Sequence, residues 1–158
     1  MSVISTAVDT WYVKQGATFR YGFVLYNPLL DVDGNPILDG DDKPQPDLSS
    51  PVEDLDTCTA RCQIREEKDS PNFLMSATSG EYDAETAPLA GRIFLKDQDI
   101  EGRIQIVLTD TDTDKVNIEN AVFDLEIEWP IQTDEVRAEV DRILEGPVVC
   151  DLNVTRNT

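Results

Sequence analysis

The sequence predicts an all-β fold, a small antiparallel sandwich or barrel, and three stretches carry that expectation. In residues 58–65, Cys58, Ala60, Cys62 and Ile64 alternate with Thr59, Arg61, Gln63 and Arg65. Ile104, Ile106 and Leu108 alternate with Arg103, Gln105 and Val107; Phe123, Leu125, Ile127 and Trp129 alternate with Asp124, Glu126 and Glu128. Side chains of a strand point to opposite faces in turn, so period-two patterning marks strands with one face buried and one wet. Antiparallel sheets tolerate a wet face, whereas parallel sheets are covered on both.

The elements follow in chain order. The N-terminal residues Met-Ser-Val-Ile-Ser-Thr-Ala-Val-Asp lack a basic n-region and a sustained apolar run, so no secretory signal is expected. Trp11, Tyr12 and Val13 form a short strand and Gln15-Gly16 a turn. A second strand over 18–26 sets Phe19, Tyr21, Phe23 and Leu25 on one face; its aromatic content favours strand over helix. Residues 28–57 are different in kind: five prolines, and nine acids against one lysine. They read as a long exposed acidic insertion, with a small hairpin at Asp33-Gly34-Asn35. Loops of this length are functional or disordered. A short strand is expected over 73–77 and loop over 78–90. A hairpin pairs 92–96 with 102–109, and 109–120 is polar with room for one helical turn. A strand covers 121–129.

Two readings compete for 134–144. Val136, Val140, Ile143 and Leu144 stand at i, i+4, i+7 and i+8, the stripe of an amphipathic helix. Thr133 would cap it, and Gly146-Pro147 would stop it. The rival is a strand from about 136 running on through Val148, Cys150, Leu152 and Val154. A strand over 147–155 is expected on either reading. No repeat with a period of 20–50 residues is present.

With 158 residues, 40% of them hydrophobic, the chain makes one domain with an extended loop. No run approaches the roughly 18 apolar residues of a membrane helix. The 32 acidic and 13 basic residues give a formal charge of −19. Direct nucleic-acid binding needs a basic surface, and no lysine or arginine cluster exists in the sequence. The acids read as a means of solubility or, alternatively, as mimicry of nucleic acid toward a basic partner. Cys58 and Cys62 lie roughly 13 Å apart along one strand face, too far for a disulfide. Cys62 and Cys150 could pair only on neighbouring strands, and all three thiols read as small buried hydrophobes.

Chemistry-bearing motifs are sparse. Asp31-Val-Asp33-Gly34-Asn35 imitates the opening of a calcium loop, but Gly34 falls at position 4 instead of 6, and Asp42 stands at position 12 where glutamate is required. A turn is the better reading. The run Thr109-Asp110-Thr111-Asp112-Thr113-Asp114 suits caps and turns without a metal. The chain has no histidine, which removes Ser-His-Asp and Cys-His arrangements, and no Gly-rich phosphate loop. Neither an enzyme, a cofactor nor a metal is expected.

The order of motifs resembles small tail and baseplate β-domains of tailed bacteriophages. It runs from Trp11-Tyr-Val-Lys-Gln-Gly-Ala-Thr-Phe19 through the Thr-x-x-Thr/Cys-Ala-Arg-x-Gln-Ile-Arg type strand, here Thr57 to Arg65. Gly102 to Thr109, an Asp/Thr-rich corner and Ala121 to Glu126 follow, and the chain closes on Arg142 to Cys150 and Val154 to Arg156. The resemblance spans most of the chain apart from 28–57. It implies an immunoglobulin-like antiparallel sandwich, to which the residues themselves add the long acidic loop and, on one reading of 134–144, one short helix. It further implies a virion structural part of tail, baseplate or neck type, assembled in the host cytoplasm from other virion proteins and copies of itself. Contact residues are then expected on two excursions, 28–57 and 130–140: Asp31, Asp33, Asp41 and Asp42 on the first, and Trp129, Pro130 and Ile131 at the base of the second. Besides the nucleic-acid-mimic inhibitor, a host-adhesion module is the other alternative, although its exposed aromatic groove finds a thin supply in two tryptophans and four tyrosines.

Overall fold

A computed structural model describes residues 3–5, 10–79, 92–131 and 137–152. It is an all-β protein whose strands are β1 (Ile4–Ser5), β2 (Trp11–Lys14), β3 (Phe19–Pro28), β4 (Pro46–Pro51), β5 (Thr59–Arg65), β6 (Met75–Thr78), β7 (Arg92–Leu95), β8 (Arg103–Leu108), β9 (Asn120–Glu128) and β10 (Val140–Asp151). One helical turn, α1 (Asp110–Asp114), joins β8 toward β9. Hydrogen bonding runs in the order β1-β3-β8-β7-β6-β5-β9-β10-β2, with β4 added to β3. Most neighbours are antiparallel. The exceptions are β2 on β10, and β6 on β7, which meet through the single pair Thr78 and Arg92. That thin seam divides the path into two halves, antiparallel throughout except where β2 joins β10.

The sheet is curled, because a flat sheet of this width would leave its apolar face in water, and strand twist supplies the curvature. The inner face carries Trp11, Val13, Phe23, Leu25, Cys62, Ile64, Ile104, Ile106, Leu108, Phe123, Leu125, Ile127, Val148 and Cys150, all buried. Trp11, from one end of the strand order, reaches β3 near the other: its ring lies 5.2 Å from Phe19 and 5.4 Å from Tyr21, and it stacks on Phe123 at 3.8 Å. Cys62 and Cys150 lie on β5 and β10, which β9 separates, so no disulfide can form; all three cysteines are buried and free.

The polar run at 109–114 folds as a capped turn. The Thr109 hydroxyl accepts from the Asp112 amide, and the Asp112 carboxylate accepts from the Thr109 amide at 2.9 Å, a capping box. Thr113 donates to the Ala17 carbonyl at 2.8 Å, tying the turn to the start of β3.

Of the two readings of 134–144, the helix is not formed in the described part and the strand is. Residues 132–136 lie outside the described residues, and from Val140 the chain is strand, paired with β9 from Val140–Glu128 to Val149–Asn120. A bulge between Arg142 and Leu144 explains the false helical stripe. The extra residue lets Ile143 and Leu144 both turn partly inward, so two adjacent apolar residues mimic i+7 and i+8. Gly146 and Pro147 do not end the element. Pro147 lies one residue before β2 joins at Val148, where the missing amide leaves that ladder intact.

The acidic insertion is also more structured than its composition suggests. Strand β4 pairs with β3, and Val52 and Leu55 are core residues, so only about 29–45 stands out from the domain as an arm. The loop expected over 78–90 falls largely outside the described residues.

Candidate functional site

The arm is built from an eight-residue repeat that residue counting at longer periods does not reveal. Leu30-Asp31-Val32-Asp33-Gly34-Asn35-Pro36 is followed by Leu38-Asp39-Gly40-Asp41-Asp42-Lys43-Pro44. Each copy folds as a hairpin tip closed by its first aspartate. The Asp31 carboxylate accepts from the amides of Asp33 and Asn35, both at 2.9 Å; Asp39 accepts from Asp41 at 2.8 Å and Lys43 at 3.0 Å. Backbone bonds Gly34 N to Asp31 O and Asp42 N to Asp39 O complete the turns. Leu30 bridges Pro36, and Leu38 bridges Pro44. At the root the amides form a closed ring: Leu29 donates to Gln45 O, Gln45 to Ile37 O and Ile37 to Leu29 O, at 2.8–2.9 Å. This ring makes the arm a defined projection instead of a loose loop.

Positions 34 and 42 both adopt positive φ, 83° at Gly34 and 59° at Asp42. Glycine bears that conformation without cost and an L-residue does not. Asp42→Gly is expected to stabilise the arm by about 0.5–1 kcal/mol, the strain relief less the greater freedom of glycine in the unfolded chain. Slower amide exchange at residues 39–45 would show it, and faster exchange there would refute it.

The four acids singled out in the sequence divide by role. Asp31 is a cap, while Asp33, Asp41 and Asp42 lie exposed around the tips. Asp39 was missed, although it does for the second tip what Asp31 does for the first; the repeat was the signal for it. The amides of Lys43 and then Asp41 hold the Asp39 carboxyl below its ordinary value. The arm also bares apolar side chains among the acids. Leu30, Val32, Ile37 and Leu38 account for four of the twelve large hydrophobics exposed among the described residues, and Val32 is fully exposed.

At the root of the arm the second group of predicted residues comes into play. A cavity of about 440 Å³ lies between Asn27, the 49–54 segment, Cys58, Trp129 and Pro130. Trp129 is itself buried and anchored: its indole N–H donates to Asp141 at 2.7 Å, and its amide to the Glu139 carbonyl. Pro130 and Ile131 are exposed, Ile131 by 62%. Trp129 and Pro130 therefore wall the cavity beneath the arm, whereas the four acids stand at its tips. Burial raises the Cys58 thiol above its ordinary value, and the same holds for Cys62 and Cys150, so none is an activated nucleophile.

A second surface lies on the outer face of β5, β9 and β10. Arg61 pairs with Glu126 at 2.7 Å, Arg142 with Glu126 at 3.5 Å and Glu145 at 3.3 Å, and Lys68 with Glu145 at 3.6 Å. Asp124 sits among them; burial, then repulsion from Glu126, raises its carboxyl above its ordinary value, with Arg142, Arg65 and Arg61 opposing. Alongside runs a groove of about 400 Å³ lined by Arg65, Lys68, Val122, Arg142, Glu145 and Pro147, among others.

The fold and these surfaces define an all-β protein with an ordered acidic arm. No family model matches the chain, and no curated protein matches it. Among solved structures, a marsupial T cell receptor is 10% identical with a TM-score of 0.47; the match covers 95% of this chain and 34% of that one. A chain from a structure of T cell specificity and activation by the bacterial superantigen toxic shock syndrome toxin-1 is 8% identical with a TM-score of 0.45, covering 94% of this chain and 98% of that one. The chain thus spans about a third of the first and nearly all of the second, and neither likeness bears on function.

Proposed function

We propose that the chain is a structural component of a tailed-bacteriophage virion, of tail, baseplate or neck type, and that it works by protein–protein contact and not by catalysis. The motif order supports the virion class. The observation that carries the contact role is the arm: a hydrogen-bonded projection that exposes four large apolar side chains amid carboxylates. Water disfavours such a display on a free surface, and exposed apolar groups rimmed by polar ones mark interaction sites. A rigid arm also loses little conformational freedom on docking.

Replacing residues 30–44 by Asn-Gly tests this. Leu29 and Gln45 are already hydrogen-bonded, so a two-residue turn can join them while β4, Val52 and Leu55 stay in place. The full chain is expected to form a closed oligomer by light scattering across a concentration series. The shortened chain should unfold at a similar temperature and run as a monomer. A full chain that is monomeric at every concentration, or an oligomer that survives the deletion, would overturn the reading. Mimicry of nucleic acid draws less support, because carboxylates on the β5–β9–β10 face are matched by arginines and a lysine.

A further inference from the structure

We propose that the arm of one copy docks its tips into the groove on the outer face of β5, β9 and β10 of a second copy. This rests on the assembly reading and names the partner of the arm. With a net charge of −19, two copies repel each other, and any contact between them must set carboxylates of one against the few bases of the other. Of the 13 basic residues, Arg61, Arg65, Lys68 and Arg142 gather on or beside this one face. The groove lining itself holds three of them, Arg65, Lys68 and Arg142, against two acids, Asp124 and Glu145, whereas the whole chain carries 32 acids to 13 bases. It is therefore a surface on which an acidic arm meets little net repulsion.

The bases there are also available. The side chains of Arg61, Lys68 and Arg142 are 55%, 65% and 44% exposed, and the contacts of Lys68 and Arg142 with Glu145 and Glu126 are long. Exposed ion pairs of this kind are weak in water and exchange partners at little cost. Between them Val122, Gly146 and Pro147 give the groove an apolar floor. Val32, fully exposed between Asp31 and Asp33, presents the complementary pattern: an apolar side chain flanked by acids. Arm and groove are different surfaces, so the contact is heterologous and repeats from copy to copy, closing a ring where the rotation permits.

Charge reversal on each side tests the contact. Lys68→Glu with Arg142→Glu reverses the groove, and Asp33→Lys with Asp41→Lys reverses the arm. Light scattering on the full chain should show each reversed protein self-associating at least about tenfold more weakly than the parent, with an unchanged unfolding temperature. An equimolar mixture of the two should regain multimeric mass, because each arm then faces a groove of opposite charge. If the groove reversal leaves the mass unchanged while removal of 30–44 abolishes it, the arm docks elsewhere and this contact is wrong, although the assembly reading stands. If the mixture stays monomeric, the contact is likewise overturned.

Discussion

Gly102→Ala should destabilise the protein by about 3 kcal/mol or more. Gly102 has φ of 76°, which costs an L-residue roughly 1–2 kcal/mol. A Cβ there would also meet the Leu25 carbonyl oxygen at 2.7 Å and Pro51 Cβ at 2.9 Å, and forced overpacking adds roughly 1–3 kcal/mol. Neither neighbour can yield cheaply. Leu25 donates to Gly102 O at 2.8 Å, and its own oxygen accepts from Val52 at 2.9 Å, so β3, the end of β4 and the β7–β8 turn are locked together at this point. That turn is already strained, with positive φ at Lys96, Gln98 and Asp99. For a chain of this size the loss corresponds to a fall of roughly 6–12 °C in unfolding temperature, read by calorimetry. A fall under a degree or two would mean that the close approach is absent.

Trp11 gives the second large effect, through a contrast between two replacements. Trp11→Ala removes the ring that stacks on Phe123 and touches Phe19 and Tyr21, at an expected cost of about 3–5 kcal/mol. Trp11→Phe should cost only about 1 kcal/mol. It keeps a stacked ring and discards an indole N–H that is buried without a hydrogen-bond partner among the described residues, a group whose desolvation opposes folding by about 1–3 kcal/mol. Denaturant midpoints of the two variants measure the difference. Equal losses would show that the indole nitrogen has a partner after all.

What was legible in the chain was local. Cys62, Ile64, Ile104, Ile106, Phe123 and Leu125 are buried as their alternation requires, since side-chain direction in a strand depends on neighbours alone. The capped turn at Thr109 was readable for the same reason: an oxygen three residues away is within reach of the amide it satisfies. The arm was half legible. Its acids and turns stood out, but its order depends on amides 8 and 16 residues apart closing a ring, and Asp39 gains its role only inside that repeat.

Other features were decided by tertiary structure because they join residues distant in sequence. Strand β10 is a strand because β9 offers it an edge to pair with, and the bulge at Ile143 hides its period from any local reading. The cavity under the arm brings Asn27 and Ser50 to Trp129, and the basic face gathers Arg61 and Arg142 from strands that meet only through β9. Sequence by itself determined which faces are apolar, because that is written in alternating residues. Curl of the sheet, pairing of its ends and the surfaces that result were determined only in three dimensions. They depend on which apolar faces find one another, and backbone groups at any strand edge accept many partners.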